Sequence, residues 1–281
     1  MLDYANIDQG SGLRQLAVRS APTLLTVLHH GDRVAELTTL WQLCSALQNH
    51  GYAVSVLDGT AEESDQNPGL LNMLEQPYSP APLQDAGRWT VIPSALGLVC
   101  LAGQRGQTRV EERLSKLLAD ASVLVVYADA EALGSLQEAP NTCRPVVALL
   151  PETTSLLSAY QGIKSLAALV RPAEIVAVTV NPLDTPEYLA AGIAKSLQNC
   201  TMNFLKCPVR HISTQVKNQA SPTVEQASEG IRQLALQLLG RPVPAAAIPV
   251  LDPIANSASR VKPPSVSVRP KAAHDQRLWS H

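Results

Sequence analysis

The sequence predicts an α/β chain built on a doubly wound, mostly parallel sheet, followed by a disordered C-terminal tail. Three observations carry that prediction. The stretch 24–58 alternates a short apolar run, a polar turn, a helical pattern and a second apolar run, which together make one βαβ unit. Further buried-strand runs recur at Val123–Tyr127, Val146–Leu150 and Glu174–Val180, with helical patterns after the second and third. From Arg241 to His281 Pro, Ala and Ser dominate, a composition that cannot build a packed core.

Along the chain, residues 1–22 form a polar N-terminal segment, 23–240 the α/β domain and 241–281 the tail. The first strand is Leu24–Leu28, followed by the turn His29-His30-Gly31-Asp32-Arg33. Asp32 is placed to cap a helix whose apolar face is Leu37, Leu40, Trp41, Cys44 and Leu47, and Gly51 ends it. Ala53–Leu57 is the second strand, closing on Asp58. Residues 59–88 read as a surface loop with a short helix at Leu70, Leu71, Met73 and Leu74, and Trp89–Pro93 as a strand. Val110, Leu114, Leu117 and Leu118 mark one helical face. After Val123–Tyr127, Asp129 and Glu131 are read as a solvated loop surface. Thr154 or Ser155 is expected to cap a helix with the face Leu156, Tyr160, Ile163 and Ala167. Thr185 as N-cap and Pro186 at the first helical position start the next one, which carries Leu189, Ile193 and Leu197 towards Phe204 and Leu205. A last helix, 223–239, presents Ile231, Leu234, Leu238 and Leu239. Its only basic residue is Arg232, so packing on the domain is expected in preference to lying on a membrane.

Composition narrows the function. The formal net charge of −2 gives no basis for a nucleic-acid partner, and the single Phe, Phe204, leaves no stacking platform for bases. Cys44, Cys100, Cys143, Cys200 and Cys207 show no CxxC spacing, and Cys44 falls on a helix core face. With neither a signal peptide nor a long apolar span in the sequence, the chain is expected to be cytoplasmic with reduced thiols.

The 24–58 unit resembles, without a gap, the opening of the MinD/ParA family of deviant Walker ATPases, whose first strand runs into a KGGVGKTT loop. Val34 and Thr38 match that loop, and Leu43, Ala46, Leu47, Gly51 and Asp58 match the helix and strand beyond it. Gly31 stands at the signature lysine, Asp32 and Arg33 at two glycines and Ala35 at the third. Glu36 stands at the phosphate-binding lysine and Leu37 at the magnesium-binding threonine. Val126 takes the place of the Asp that ends the family's switch strand. The run Val146 to Ser155, with Leu156, Ala159, Tyr160, Ile163 and Lys164, matches the family pattern PE-x-TS-L-x-x-AY-x-x-IK. Asn181-Pro182 stands where the family contacts adenine, and is equally a turn dipeptide. Ahead of the first strand, Asp8, Gln9, Leu13 and Arg14, with Leu16 beyond, resemble the DQA-x-x-LR segment of the flagellar-number regulators FlhG/FleN. That segment binds the GTPase FlhF, and Gly10 departs from its alanine.

The resemblance implies a P-loop NTPase-like fold of MinD/ParA type whose nucleotide chemistry has gone. A P-loop holds phosphate with inward backbone N–H groups and a lysine, and magnesium with a hydroxyl oxygen. Glu36 reverses the charge and Leu37 offers no oxygen. Only Asp58 and Asn181 remain as residual nucleotide-site candidates; neither ATP nor magnesium nor any other metal is expected. The reading is a pseudo-ATPase regulating flagellar number or placement through protein contacts, with an FlhF-type GTPase or a basal-body component as partner. Rival readings are a residual or non-standard ATPase, and an adaptor in another MinD-like system such as secretion or cellulose export. A further rival makes His29 and His30, beside Asp32 and Glu36, a metal or acid–base site.

Overall fold

The computed structural model describes residues 22–76, 89–103, 110–136, 144–183, 185–216 and 227–240. Strands β1 (Thr23–Leu28), β2 (Val54–Asp58), β3 (Thr90–Pro93), β4 (Val123–Ala128), β5 (Val146–Leu149), β6 (Ile175–Pro182) and β7 (Val209–Val216) form one sheet. Its order is β3-β2-β4-β1-β5-β6-β7, and every pairing is parallel. The helices are α1 (Arg33–Asn49), α2 (Leu70–Glu75), α3 (Ala95–Gly103), α4 (Val110–Leu117), α5 (Ala130–Leu136), α6 (Thr153–Leu169), α7 (Glu187–Cys200) and α8 (Glu229–Leu238). A π-helical turn, Thr201–Leu205, extends α7. This is the α/β architecture expected from the sequence. Among the described residues no helix is long and apolar enough to cross a membrane.

Both faces of the sheet are covered, which is why β4 reads VLVVYA with every residue buried. Side chains alternate between the faces. Leu28, Leu57, Leu124, Val126, Leu149 and Ala177 join the core under α2 to α7, while Val27, Val56, Val125, Tyr127 and Val178 join the core under α1 and α8. α8 packs on the domain as expected, burying Ile231, Leu234 and Ala235 against the side of the sheet that α1 covers.

Because α1 meets α8 as well as the sheet, its buried arc differs from the expected face. Leu40, Cys44 and Leu47 are inside, joined by Ala35, Glu36, Thr39, Gln42, Leu43 and Ala46, whereas Leu37 and Trp41 face outward. Trp41 meets Trp89 edge to face, centroids 4.6 Å apart. The Thr214 hydroxyl of β7 lies 2.7 Å from Gln42 Oε1 and 2.8 Å from the Oγ of Ser228, the α8 cap, so buried polar groups join the two helices to the edge strand.

Other boundaries shift for local reasons. Asp129 and Glu131 are solvent-exposed as expected, but they stand at a helix start and not in a loop: the Asp129 carboxylate accepts from Ala132 N at 2.8 Å and caps α5, with Glu131 in its first turn. α6 begins at Thr153, so neither Thr154 nor Ser155 is its cap, and α7 begins one residue after Pro186. α3 and β7 are additional elements. Glu63 fixes the 59–76 connection by accepting from Leu71 N (3.2 Å), Leu96 N (2.7 Å) and Gly97 N (2.8 Å), one carboxylate serving the first turns of two helices. A Cβ on Gly97 would stand 2.6 Å from Leu70 Cβ, so glycine there sets how closely α2 and α3 approach.

Candidate functional site

Strand β1 lies between β4 and β5; the connection that leaves β1 runs to β2 on one side, and the one that leaves the neighbouring β4 runs to β5 on the other. The crevice at the carboxyl ends of such central strands is where open α/β sheets bind ligands. The β1–α1 loop occupies it. His29 N continues the pairing by donating to Ala128 O at 2.7 Å. Gly31 then turns with φ of +104°, a conformation that favours glycine. Asp32 caps α1 as expected, accepting from Ala35 N at 3.2 Å. Its other oxygen accepts from the Ser155 hydroxyl, whose oxygen accepts from Leu150 N at 2.9 Å, so Asp32 also ties the loop to the start of α6.

Glu36, one turn into α1, does not point to solvent. Its side chain turns back under the loop and is fully buried. One carboxylate oxygen accepts from the backbone N–H of His30 (2.9 Å) and Gly31 (3.1 Å), with His30 Nε2 at 3.5 Å. The other accepts from the Tyr127 hydroxyl (2.5 Å) and from His29 Nδ1 (2.8 Å). Burial raises the cost of its charge, but the bonds from Tyr127, the His30 backbone and His29, with the nearby His30 ring, outweigh that and leave the carboxyl below its ordinary pKa. Tyr127 is pushed well above its ordinary value, by burial first and then by the Glu36 carboxylate it serves.

The two histidines have distinct tasks. A carboxylate only accepts, and the Tyr127 hydroxyl already donates to it, so His29 Nδ1 carries a hydrogen towards Glu36 and Tyr127. His30 is a bolt: Nε2 lies 2.7 Å from Ala148 O of β5 and Nδ1 lies 3.1 Å from Ser158 Oγ of α6. Gly162 lets α6 come this close, since a Cβ there would stand 2.9 Å from His30 Cβ. Among the described residues no three His, Cys, Asp or Glu side chains are grouped to hold a metal ion.

The remaining loop positions are spread out. Ala35 is buried against Ala148 and Val180, while Arg33 and Leu37 are exposed. Asp58 binds its own turn, accepting from Thr60 N (2.9 Å) and Thr60 Oγ1 (2.7 Å). Asn181 at the end of β6 sends Nδ2 towards Thr185 O at 3.4 Å, and its buried Oδ1 meets no donor among the described residues. Asp8, Gln9, Leu13, Arg14 and Leu16 lie outside the described residues.

Sequence reasoning placed Val126 at the site. The sheet puts it on the other face, and Tyr127, one residue later, is the β4 side chain that reaches the loop. Tyr127, Ser155 and Ser158 were missed as site residues. Strict alternation along β4, started from Tyr127 rather than Val126, was the signal that could have found the first.

The donors that line the loop already have an acceptor. The inward N–H groups of His30 and Gly31 are engaged by a carboxylate from the same chain, no lysine stands in the loop, and Leu37 turns an alkyl side chain outward.

No protein-family model and no curated protein matches the sequence. Solved structures do match. The MinC:MinD cell division protein complex of Aquifex aeolicus aligns over 79% of this chain and 97% of that chain, with 16% identity and a TM-score of 0.52. Cobyrinic acid a,c-diamide synthase from Mycobacterium smegmatis, with an ATP analogue and magnesium bound, aligns over 79% and 98%, with 18% identity and a TM-score of 0.52. pNOB8 ParA bound to nonspecific DNA aligns over 78% and 99%, with 12% identity and a TM-score of 0.50. At these identities the likeness is one of architecture, and the chain has the fold of the MinD/ParA-type P-loop NTPases.

Proposed function

We propose that the chain is a non-catalytic, MinD-type regulator of flagellar assembly that works through protein contacts and not through ATP turnover. The observation that supports this is the Glu36 carboxylate under the β1–α1 loop, accepting from the amides on which a bound phosphate would depend. The flagellar assignment rests on the resemblance of Asp8, Gln9, Leu13 and Arg14 to the FlhG segment, together with the run from Val146 to Lys164. On this reading 1–22, including Leu16, engages an FlhF-type GTPase or a basal-body component. The MinC:MinD complex is a precedent for a protein partner on this fold. With no nucleotide to drive dimerisation, the chain works as a constitutive monomer or through its partner.

Two measurements test the proposal. Calorimetric titration of the full chain with ATP and with ADP, each with magnesium, is expected to show no binding; tight magnesium-dependent uptake refutes the non-catalytic reading. GTP turnover by the GTPase is then followed while it is titrated with the full chain and with a 1–22 deletion. Stimulation by the first and not by the second is expected, and equal unstimulated rates remove the flagellar role.

A further inference from the structure

A parallel sheet brings every connection that leaves a strand's carboxyl end, and the helix start that follows it, to one edge of the sheet. At one corner of that edge, where β6 ends and α7 begins, three independent features coincide. The first is the unsatisfied acceptor of Asn181. Thr185 O can only accept, so the amide nitrogen must face it, and Oδ1 is left buried and without a donor among the described residues. The second is apolar exposure: Leu183 is 52% exposed, Tyr188 73% and Leu189 43%, side by side in the turn and the first helical turn. The third is charge. Glu187 is exposed at the start of α7, Glu152 is exposed where the neighbouring strand β5 gives way to α6, and the sequence from Pro172 to Ala194 contains no Lys or Arg. Asp184 and Lys217, which lie outside the described residues, are opposite in charge.

We propose that this corner is a docking site for a basic amphipathic segment of a protein partner. The inference rests on the reading that the chain acts through protein contacts, and it assigns a second contact separate from the N-terminal segment. A cation-bearing segment complements the exposed features: cations face Glu187 and Glu152 and an apolar stripe covers Leu183, Tyr188 and Leu189, while Asn181 Oδ1 is sealed from solvent and gains a Lys or Arg donor only as the turn opens. Polyanions are disfavoured by the same carboxylates.

The test uses the full chain and two fluorescent helical peptides of matched length, each with Leu at i, i+3, i+4 and i+7 spacing, one carrying Lys and the other Glu at the remaining positions, read by anisotropy. Saturable binding of the Lys peptide, weakening with salt, is expected, with none of the Glu peptide or of duplex DNA. The double variant Leu183→Ser, Tyr188→Ser and the single variant Glu187→Lys each lose about tenfold in affinity or more, as expected for apolar anchors and a facing charge. All three substituted side chains are exposed, and unchanged far-UV circular dichroism confirms that the variants fold. Phe204→Ser, which removes an exposed aromatic from the π turn at the other end of α7, leaves binding intact. Absence of binding, equal binding of the Glu peptide, binding of DNA, or affinity unchanged by the corner variants each overturns the proposal. The 1–22 deletion keeps peptide affinity while losing GTPase stimulation, so failure here and failure of the flagellar reading are told apart.

Discussion

Replacing Glu36 with lysine restores the residue a P-loop uses, yet the structure predicts that it harms the protein and brings no nucleotide. The carboxylate accepts from four donors: His30 N, Gly31 N, the Tyr127 hydroxyl and His29 Nδ1. An ammonium group accepts from none of them and adds a cation beside two imidazoles. Each buried donor left unpaired costs about 1–3 kcal/mol, and since the phenol and His29 can reorient, the total is about 4–6 kcal/mol. That is a large part of the ~5–15 kcal/mol that holds a typical domain together. At roughly 2–4 °C per kcal/mol for a domain of this size, Glu36→Lys melts about 10–20 °C below the parent. Glu36→Gln keeps one acceptor and loses the charge, so about 2 kcal/mol is expected. Thermal melts by circular dichroism, paired with calorimetric titration of magnesium-ATP, check both variants. A Glu36→Lys protein that melts with the parent and binds nucleotide tightly would refute the reasoning.

Further outcomes follow from neighbouring features. Because the folded Glu36 carboxyl titrates below its ordinary value of 4.5, its stabilisation is complete above that value and is lost as pH falls through the lower folded one. The stability gap between parent and Glu36→Gln, from denaturant melts, therefore closes with acidification and is flat near neutrality. Tyr127→Phe removes a hydroxyl bonded to a buried carboxylate, at about 1.5–3 kcal/mol in the same melts. Gly97→Ala, at a helical position where alanine is normally favoured, destabilises by about 1–3 kcal/mol, because the added Cβ meets Leu70 Cβ at 2.6 Å and Leu71 N at 2.8 Å. Burial pushes the Cys44 thiol up to about 12, so it reacts with an aromatic disulfide reagent only when urea unfolds the chain.

What could be read from the sequence was whatever depended on local period. The apolar runs of β1, β4 and β5 and the βαβ order needed only alternation and helical spacing, and the charge reversal at Glu36 was visible in the loop. The destination of that carboxylate was not, because it is set by a tyrosine 91 positions away and by a histidine whose ring reaches β5 and α6. The face of α1 was read with Leu37 and Trp41 inside because spacing cannot register α8, which arrives from far along the sequence, at Glu229–Leu238. β7 escaped notice for the opposite reason: Arg210, His211, Ser213 and Gln215 give it the polar content of an edge strand, and its partners are supplied by β6 alone.

The Glu36 tether bears on timing. In a nucleotide switch the occupant of the loop arrives, reacts and departs, and conformation follows the energy charge of the cell. Here the occupant is joined to its own backbone by three rotatable bonds, so it cannot diffuse away. On the proposed reading the loop's geometry has no built-in clock, and the cell's handle on such a molecule is how many copies it makes and what it allows them to meet.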